Sequence, residues 1–288
     1  MEFINALKAI LFGIVEGITE WLPVSSTGHM IILEEVLDVE AIYGPAFWEL
    51  FLVVIQLGAI VAVVICFFNK LNPFFGKSLL DPTKEKNKEE KKKIWILWAK
   101  VLVACIPAAV AGIVLDDFLD NHLYNAITVA IILIVYGILF IVLETWNKKR
   151  NFKINSTDEL SWKYAILIGC FQLLSLIPGT SRSGITILGA MLLLCNRSVA
   201  SEFSFFLSIP VMLGASLLKG IKFFIDGNTI ILEHALFLGI GCLVAFLVSM
   251  LVIKLLMSFI KKHDFKPFGY YRIALGILVI VLFLANVI

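Results

Sequence analysis

Two short polar stretches interrupt an otherwise apolar chain, and their residue types suit phosphate chemistry. In the first, Glu16 and Glu20 stand four residues apart, on one helix face, ahead of Pro23-Val24-Ser25-Ser26-Thr27-Gly28-His29. Carboxylates at membrane depth are costly without a partner, and a pair of them suits a divalent cation. A proline followed by Ser25, Ser26 and Thr27 reads as a helix start, where unpaired N–H groups and hydroxyls form a cup for an anion. His29 falls three residues after Ser26 on the same face, where an imidazole can exchange a proton near neutral pH.

The second stretch, Pro178-Gly179-Thr180-Ser181-Arg182-Ser183-Gly184-Ile185-Thr186, carries Arg182 where the first carries Ser26. A guanidinium offers a rigid five-donor fork suited to phosphate oxygens. A plainer role for Arg182, neutralising Glu16 or Glu20, is compatible with phosphate binding. Gln172, at the position equivalent to Glu16, is a weaker candidate.

The elements that must position these residues lie in a bilayer. The 288 residues are 60% hydrophobic and 16% charged, far more apolar than a soluble domain. Runs near 46–68, 94–115, 123–143, 201–221, 230–257 and 270–287 are each long enough to cross a hydrocarbon core of about 30 Å, which predicts six spanning helices. Segments 3–37 and 162–196 are apolar but broken by Pro, Gly, Ser and charges, which suits re-entrant elements buried in protein. Lysines crowd the loop after Lys70, with 82–93 read as solvated (Lys84, Lys86, Lys88, Lys91, Lys92 and Lys93). Two more basic loops hold Lys148, Lys149, Arg150 and Lys153, and then Lys261, Lys262 and Lys266. Asp116, Asp117 and Asp120 dominate another loop. The positive-inside rule makes the basic loops cytoplasmic and puts both chain ends outside.

Sliding the sequence on itself by 156 residues aligns 9–68 with 165–224 without a gap, with fifteen identities in sixty positions. They include Gly13/Gly169, Ser25/Ser181 and Gly28/Gly184; at offset 139, Gly137-Ile138-Leu139 matches Gly276-Ile277-Leu278. Each half is then a broken segment plus three spans. Because three is odd, the second half enters upside down: one membrane domain, 1–288, of two inverted repeats, about 1–144 and 145–288, with its site near midplane.

The remaining residues narrow the function by what they lack. The five cysteines sit in apolar runs without CxxC or Cys/His spacing, so neither a disulfide framework nor a zinc site is implied. No basic patch of nucleic-acid-binding size appears, which excludes a nucleic-acid partner. The N-terminal run, broken by Glu16 and Glu20 with no small-residue cleavage site, reads as mature protein. Gly239, Gly241 and the Leu-Gly-Ala pairs 57–59 and 213–215 are expected to let helices pack closely. His122, His234 and His263 read as loop or interfacial residues, and the six tryptophans mostly as an aromatic belt.

Glu16-Gly17-Ile18-Thr19-Glu20-Trp21-Leu22-Pro23-Val24-Ser25-Ser26-Thr27-Gly28-His29 and the stretch 178–186 resemble the bacterial undecaprenyl-diphosphate phosphatases of the bacitracin-resistance type. The motifs are long, and length, span count and repeat agree over essentially the whole chain. One departure is Trp21, where the family often has Phe. The resemblance implies hydrolysis of undecaprenyl diphosphate to the monophosphate carrier lipid at a site opening to the outer face of the bacterial plasma membrane, with Mg²⁺ or Ca²⁺. It implies catalytic roles for Glu16, Glu20, Ser26, His29 and Arg182, with Glu16 and Glu20 on the metal. Ser25, Thr27, Gly179, Ser181, Ser183 and Thr186 would hold substrate; a homodimer stays open. In this reading Ser26, activated by His29 or Glu20, attacks the terminal phosphorus. The alternative is a polyprenyl-phosphate transporter or flippase, since inverted repeats are a transporter architecture. A histidine-nucleophile lipid phosphatase is rejected, because no histidine follows Ser181-Arg182.

Overall fold

The structure, a computed structural model, describes residues 1–74, 86–123 and 125–285, without the side chains of 116–122. Lys84 and the side chains of Asp116, Asp117, Asp120 and His122 lie outside the described residues. In chain order the α-helices are α1 (Phe3–Thr19), α2 (Ser26–Leu37), α3 (Val39–Tyr43), α4 (Pro45–Cys66), α5 (Phe68–Leu71) and α6 (Lys88–Leu123). They continue with α7 (Ala126–Asn147), α8 (Trp162–Gln172), α9 (Arg182–Leu192), α10 (Arg197–Ile225), α11 (Leu232–Phe259) and α12 (Lys266–Leu284). Among the described residues six are long and apolar enough to cross a membrane: α4, residues Lys88–Leu115 of α6, α7, α10, α11 and α12. The chain is therefore a multi-pass, all-helical membrane protein.

Two stretches expected as loops from their charge are helical in part. Lys88–Lys93 form the first turns of α6, because Asn87 and Glu90 make a reciprocal cap: Glu90 N–H donates to Asn87 Oδ1 at 2.8 Å and Asn87 N–H to Glu90 Oε2 at 2.9 Å. At its other end α6 runs through 116–120 to Leu123, since neither Gly nor Pro falls between Gly112 and that end.

α1 packs along α11, α11 along α4, α4 along α10, α6 along α8 and α7 along α12. Glycines set the closest approaches. A Cβ at Gly58 would stand 2.1 Å from the Cys242 carbonyl oxygen, and one at Gly169 2.1 Å from that of Ala104. Gly137 and Gly269 face one another across α7 and α12. Gly241 meets Phe51, but Gly214 and Gly239 face open space, so the close packing expected at those two is absent. Trp21 and Trp48 are buried rather than interfacial: Trp21 meets the Phe205 ring edge-on at 5.2 Å, and Trp48 stacks on Phe51. Trp95, Trp146 and Trp162 are exposed. His234 stacks on Phe47 and His263 on Phe259. At the basic end, the buried Glu144 on α7 accepts from Arg197 Nε at 2.8 Å and Nη2 at 2.6 Å, and from the Phe265 N–H at 2.9 Å, tying α7, α10 and the start of α12.

Candidate active site

Ser25 and Ser181 occupy the same unusual backbone. Each precedes a helix, α2 or α9, with φ of 75° and 65° respectively, a region that non-glycine residues enter at a cost of order 1–3 kcal/mol. Each hydroxyl accepts from the N–H three residues on, Gly28 at 3.4 Å and Gly184 at 3.2 Å, and such caps return about 1 kcal/mol. Ahead of Ser181, Gly179 turns the chain at φ 87°, and a Cβ there would stand 2.9 Å from the Val129 backbone on α7.

Glu20, just past the end of α1, joins the two loops. Its Oε2 accepts from Ser26 Oγ at 2.8 Å, its Oε1 from Arg182 Nη2 at 2.9 Å, and its main-chain carbonyl from Ser183 Oγ at 2.9 Å. Ser26, a half-buried residue, therefore points its hydrogen at a buried carboxylate. Arg182 also donates to the Ser204 carbonyl on α10 at 3.1 Å. Thr186 Oγ1 donates to the Arg182 carbonyl at 2.8 Å and meets Ser204 Oγ at 2.7 Å. Ser25, Ser183 and Thr186 are buried and engaged with protein, whereas Ser26, Thr27, His29, Ser181 and Arg182 are half-buried.

His29 lies beside this chain of contacts rather than within it. Its Nδ1 meets the Ser25 carbonyl at 2.7 Å, so Nδ1 carries the hydrogen, and its Nε2 meets Tyr271 Oη at 2.7 Å. The hydroxyl of Ser26 thus rests on Glu20, not on the imidazole.

Tyr271 and Arg272, both on α12, were missed by sequence reasoning. Arg272 is fully buried, with Nη1 donating to the Pro23 carbonyl at 3.3 Å and Nη2 to those of Gly179 at 2.8 Å and Thr180 at 3.2 Å. Near the start of an apolar run a charged residue reads as an ordinary interfacial flank. The available signal was the offset of 139, which puts Tyr271-Arg272 opposite Ile132-Leu133.

Two acidic side chains of the kind a divalent cation takes stand at this site, and they are compatible with one: Glu16 is 1% exposed and its Oε1 has no hydrogen-bond partner. Among the described residues no cluster of three or more His, Cys, Asp or Glu side chains forms, so a metal here would take its other ligands from phosphate oxygens and water, as magnesium does. Gln172 is also fully buried, with both side-chain polar atoms unpaired.

The chain matches the family described as bacitracin resistance protein BacA over residues 9–278. An undecaprenyl-diphosphatase of Enterococcus faecalis is 55% identical over 280 residues, 97% of this chain and 98% of that protein. One of Acetivibrio thermocellus is 53% identical over 282 residues, 98% and 99% of the two chains. Another, of Latilactobacillus sakei, is 51% identical over 280 residues, 97% and 98% of the two chains. At that identity along almost its full length, with its hydroxyl, carboxylates and guanidinium gathered at two equivalent loops, this chain belongs to the BacA bacitracin-resistance family.

Proposed function

We propose that this chain hydrolyses undecaprenyl diphosphate to undecaprenyl phosphate and inorganic phosphate, recycling the carrier lipid of cell-wall polymers and so conferring bacitracin resistance. The name shared by its relatives supports the substrate. The continuous contact Ser26–Glu20–Arg182 carries the reaction type, since it joins a hydroxyl, a base and a phosphate fork.

Ser26 Oγ attacks the terminal phosphorus as its proton passes to Glu20. The bond from that phosphorus to the bridging oxygen breaks, and undecaprenyl phosphate leaves. Water then cleaves the phosphoserine, releasing inorganic phosphate and restoring the Ser26 hydroxyl. Arg182 holds the charge that gathers on the phosphoryl oxygens, helped by the half-buried Thr27 and Ser181. Ser183 and Thr186 brace Glu20 and Arg182 from behind, Gly179 brings the second loop against α7, and His29, whose Nε2 pairs with the Tyr271 hydroxyl, would be the second proton-accepting group. Glu16 and Glu20 would hold Mg²⁺ or Ca²⁺, which when bound supplies Lewis-acid charge to the phosphate.

The two broken segments are read as re-entrant, the halves 1–144 and 145–288 as inverted, and the site and both ends as facing outward. Matched φ angles at Ser25 and Ser181 support the repeat, as do Gly13 and Gly169, which meet the backbones of α11 and α6 respectively. The positively charged loops support the orientation.

Purified full-length protein in detergent, given undecaprenyl diphosphate, is expected to release phosphate only with a divalent cation present; chelation should stop release and added Mg²⁺ or Ca²⁺ restore it. Arg182→Ala should abolish it. Binding without release by the wild type would instead favour the lipid carrier, which the paired loops would also suit.

A further inference from the structure

We propose that Tyr271 and Arg272, adjacent on α12, are positioning residues for this reaction, Arg272 tying the two serine loops together and Tyr271 fixing the His29 imidazole. The inference rests on the phosphatase reading of the site. Pro23 and Gly179 are equivalent under the 156-residue offset, each two residues before the serine held at positive φ. One guanidinium donates to both of their carbonyls, and to that of Thr180. A flat fork with two terminal nitrogens can hold two backbones at a fixed separation; an ammonium on a flexible stem cannot. The guanidinium lies over the Tyr136 ring at 5.6 Å, and no carboxylate pairs with it among the described residues. All its hydrogen bonds among the described residues therefore go to backbone carbonyls, and what it fixes is the spacing of Ser26 from Arg182.

Tyr271 completes the arrangement from the next position. Its ring stacks on the imidazole at 5.6 Å with 6° between planes, and its hydroxyl is 2.7 Å from Nε2. The other ring nitrogen is held by the Ser25 carbonyl, so one end of the imidazole is set by the first loop and the other by α12. Neither residue is placed to touch the transferring phosphoryl group in this reading: Arg272 acts through the loops that carry Ser26 and Arg182, and Tyr271 through the His29 imidazole.

The test is steady-state phosphate release from undecaprenyl diphosphate by purified full-length wild type, Arg272→Lys and Tyr271→Phe, with thermal unfolding in detergent as the check on folding. A catalytic geometry displaced by about 1 Å costs on the order of 100-fold, so Arg272→Lys should lower kcat about 100-fold with KM within about 3-fold of wild type. Tyr271→Phe keeps the ring and loses the hydroxyl, and should lower kcat about 10-fold, again at nearly constant KM. If Arg272→Lys does not fold, Tyr271→Phe decides alone, since its half-exposed side chain leaves folding intact. An unchanged kcat in a folded variant, or a loss confined to KM, overturns the inference. An inactive wild type would instead overturn the phosphatase reading itself.

Discussion

In the loop before α2, Ser25 caps its helix at φ 75°, and in the loop before α9, Ser181 does so at φ 65°, but the next residue is Ser26 in one and Arg182 in the other. The backbone is common; the chemistry is not. Under the 156-residue offset Glu20 falls opposite Leu176, His29 opposite Ile185 and Glu16 opposite the neutral Gln172. The covering helices differ in the same way. Leu133 of α7 comes within reach of a Cβ at Gly28, and Arg272 of α12 does so at Gly184. A strained but capped turn is thus the reusable part, able to present different side chains at one point. One turn presents a hydroxyl beside Glu20 and the other a guanidinium, which the proposed mechanism assigns to proton transfer and charge holding.

That division can be broken experimentally. The largest effect should come from Ser26→Ala: loss of a nucleophile costs about 10⁴-fold or more in kcat, whereas Ser183→Ala, which removes only a brace on Glu20, should cost about 10-fold. If Ser26→Ala kept near wild-type phosphate release while Glu20→Ala lost it, metal-activated water would replace Ser26 as the nucleophile. Next comes Arg182→Lys, which keeps the charge but loses the fork that spans Glu20 and the Ser204 carbonyl. A drop of about 100-fold in kcat/KM is expected, and a drop under 3-fold would show that charge alone suffices there. Smallest is a difference in stability between equivalent glycines. A Cβ at Gly169 would sit 2.1 Å from a carbonyl oxygen and one at Gly13 2.7 Å, so Gly169→Ala should lower the unfolding temperature more, each costing about 1–3 kcal/mol. The reverse order, read by thermal unfolding in detergent, would mean that α6 and α8 yield more readily than α1 and α11.

Much of this was legible because membranes make sequence patterns blunt. Six long apolar runs correspond to six helices long enough to span, and the helix start expected after Pro23 is found at Ser26. Hydroxyls, carboxylates and a guanidinium in apolar surroundings also announce themselves, and Glu20, Ser26 and Arg182 do meet. Other features depended on what lies opposite a residue, which one strand of letters does not state. Gly214 and Gly239 resemble Gly58 and Gly241 in sequence context, yet only the latter two have a neighbour close by. Trp21 is belt-like in type but buried against Phe205. Arg197 and Glu144 are 53 positions apart, and nothing local announces that they pair. The α6 cap was readable, since Asn87-x-x-Glu90 is a helix-start signature that the surrounding lysines mask.

The bonds from Arg272 to Pro23, Gly179 and Thr180 also bear on when the protein becomes competent during synthesis. Both loops precede α12 in the chain, by about 90 and 250 residues, and chains leave the ribosome from the N-terminus at roughly 5–20 residues per second. Until Arg272 has been synthesised, the bonds that join the Pro23 and Gly179 carbonyls cannot form. The final joining is not made by either loop but by a side chain delivered after both. That joining therefore cannot precede the synthesis of α12.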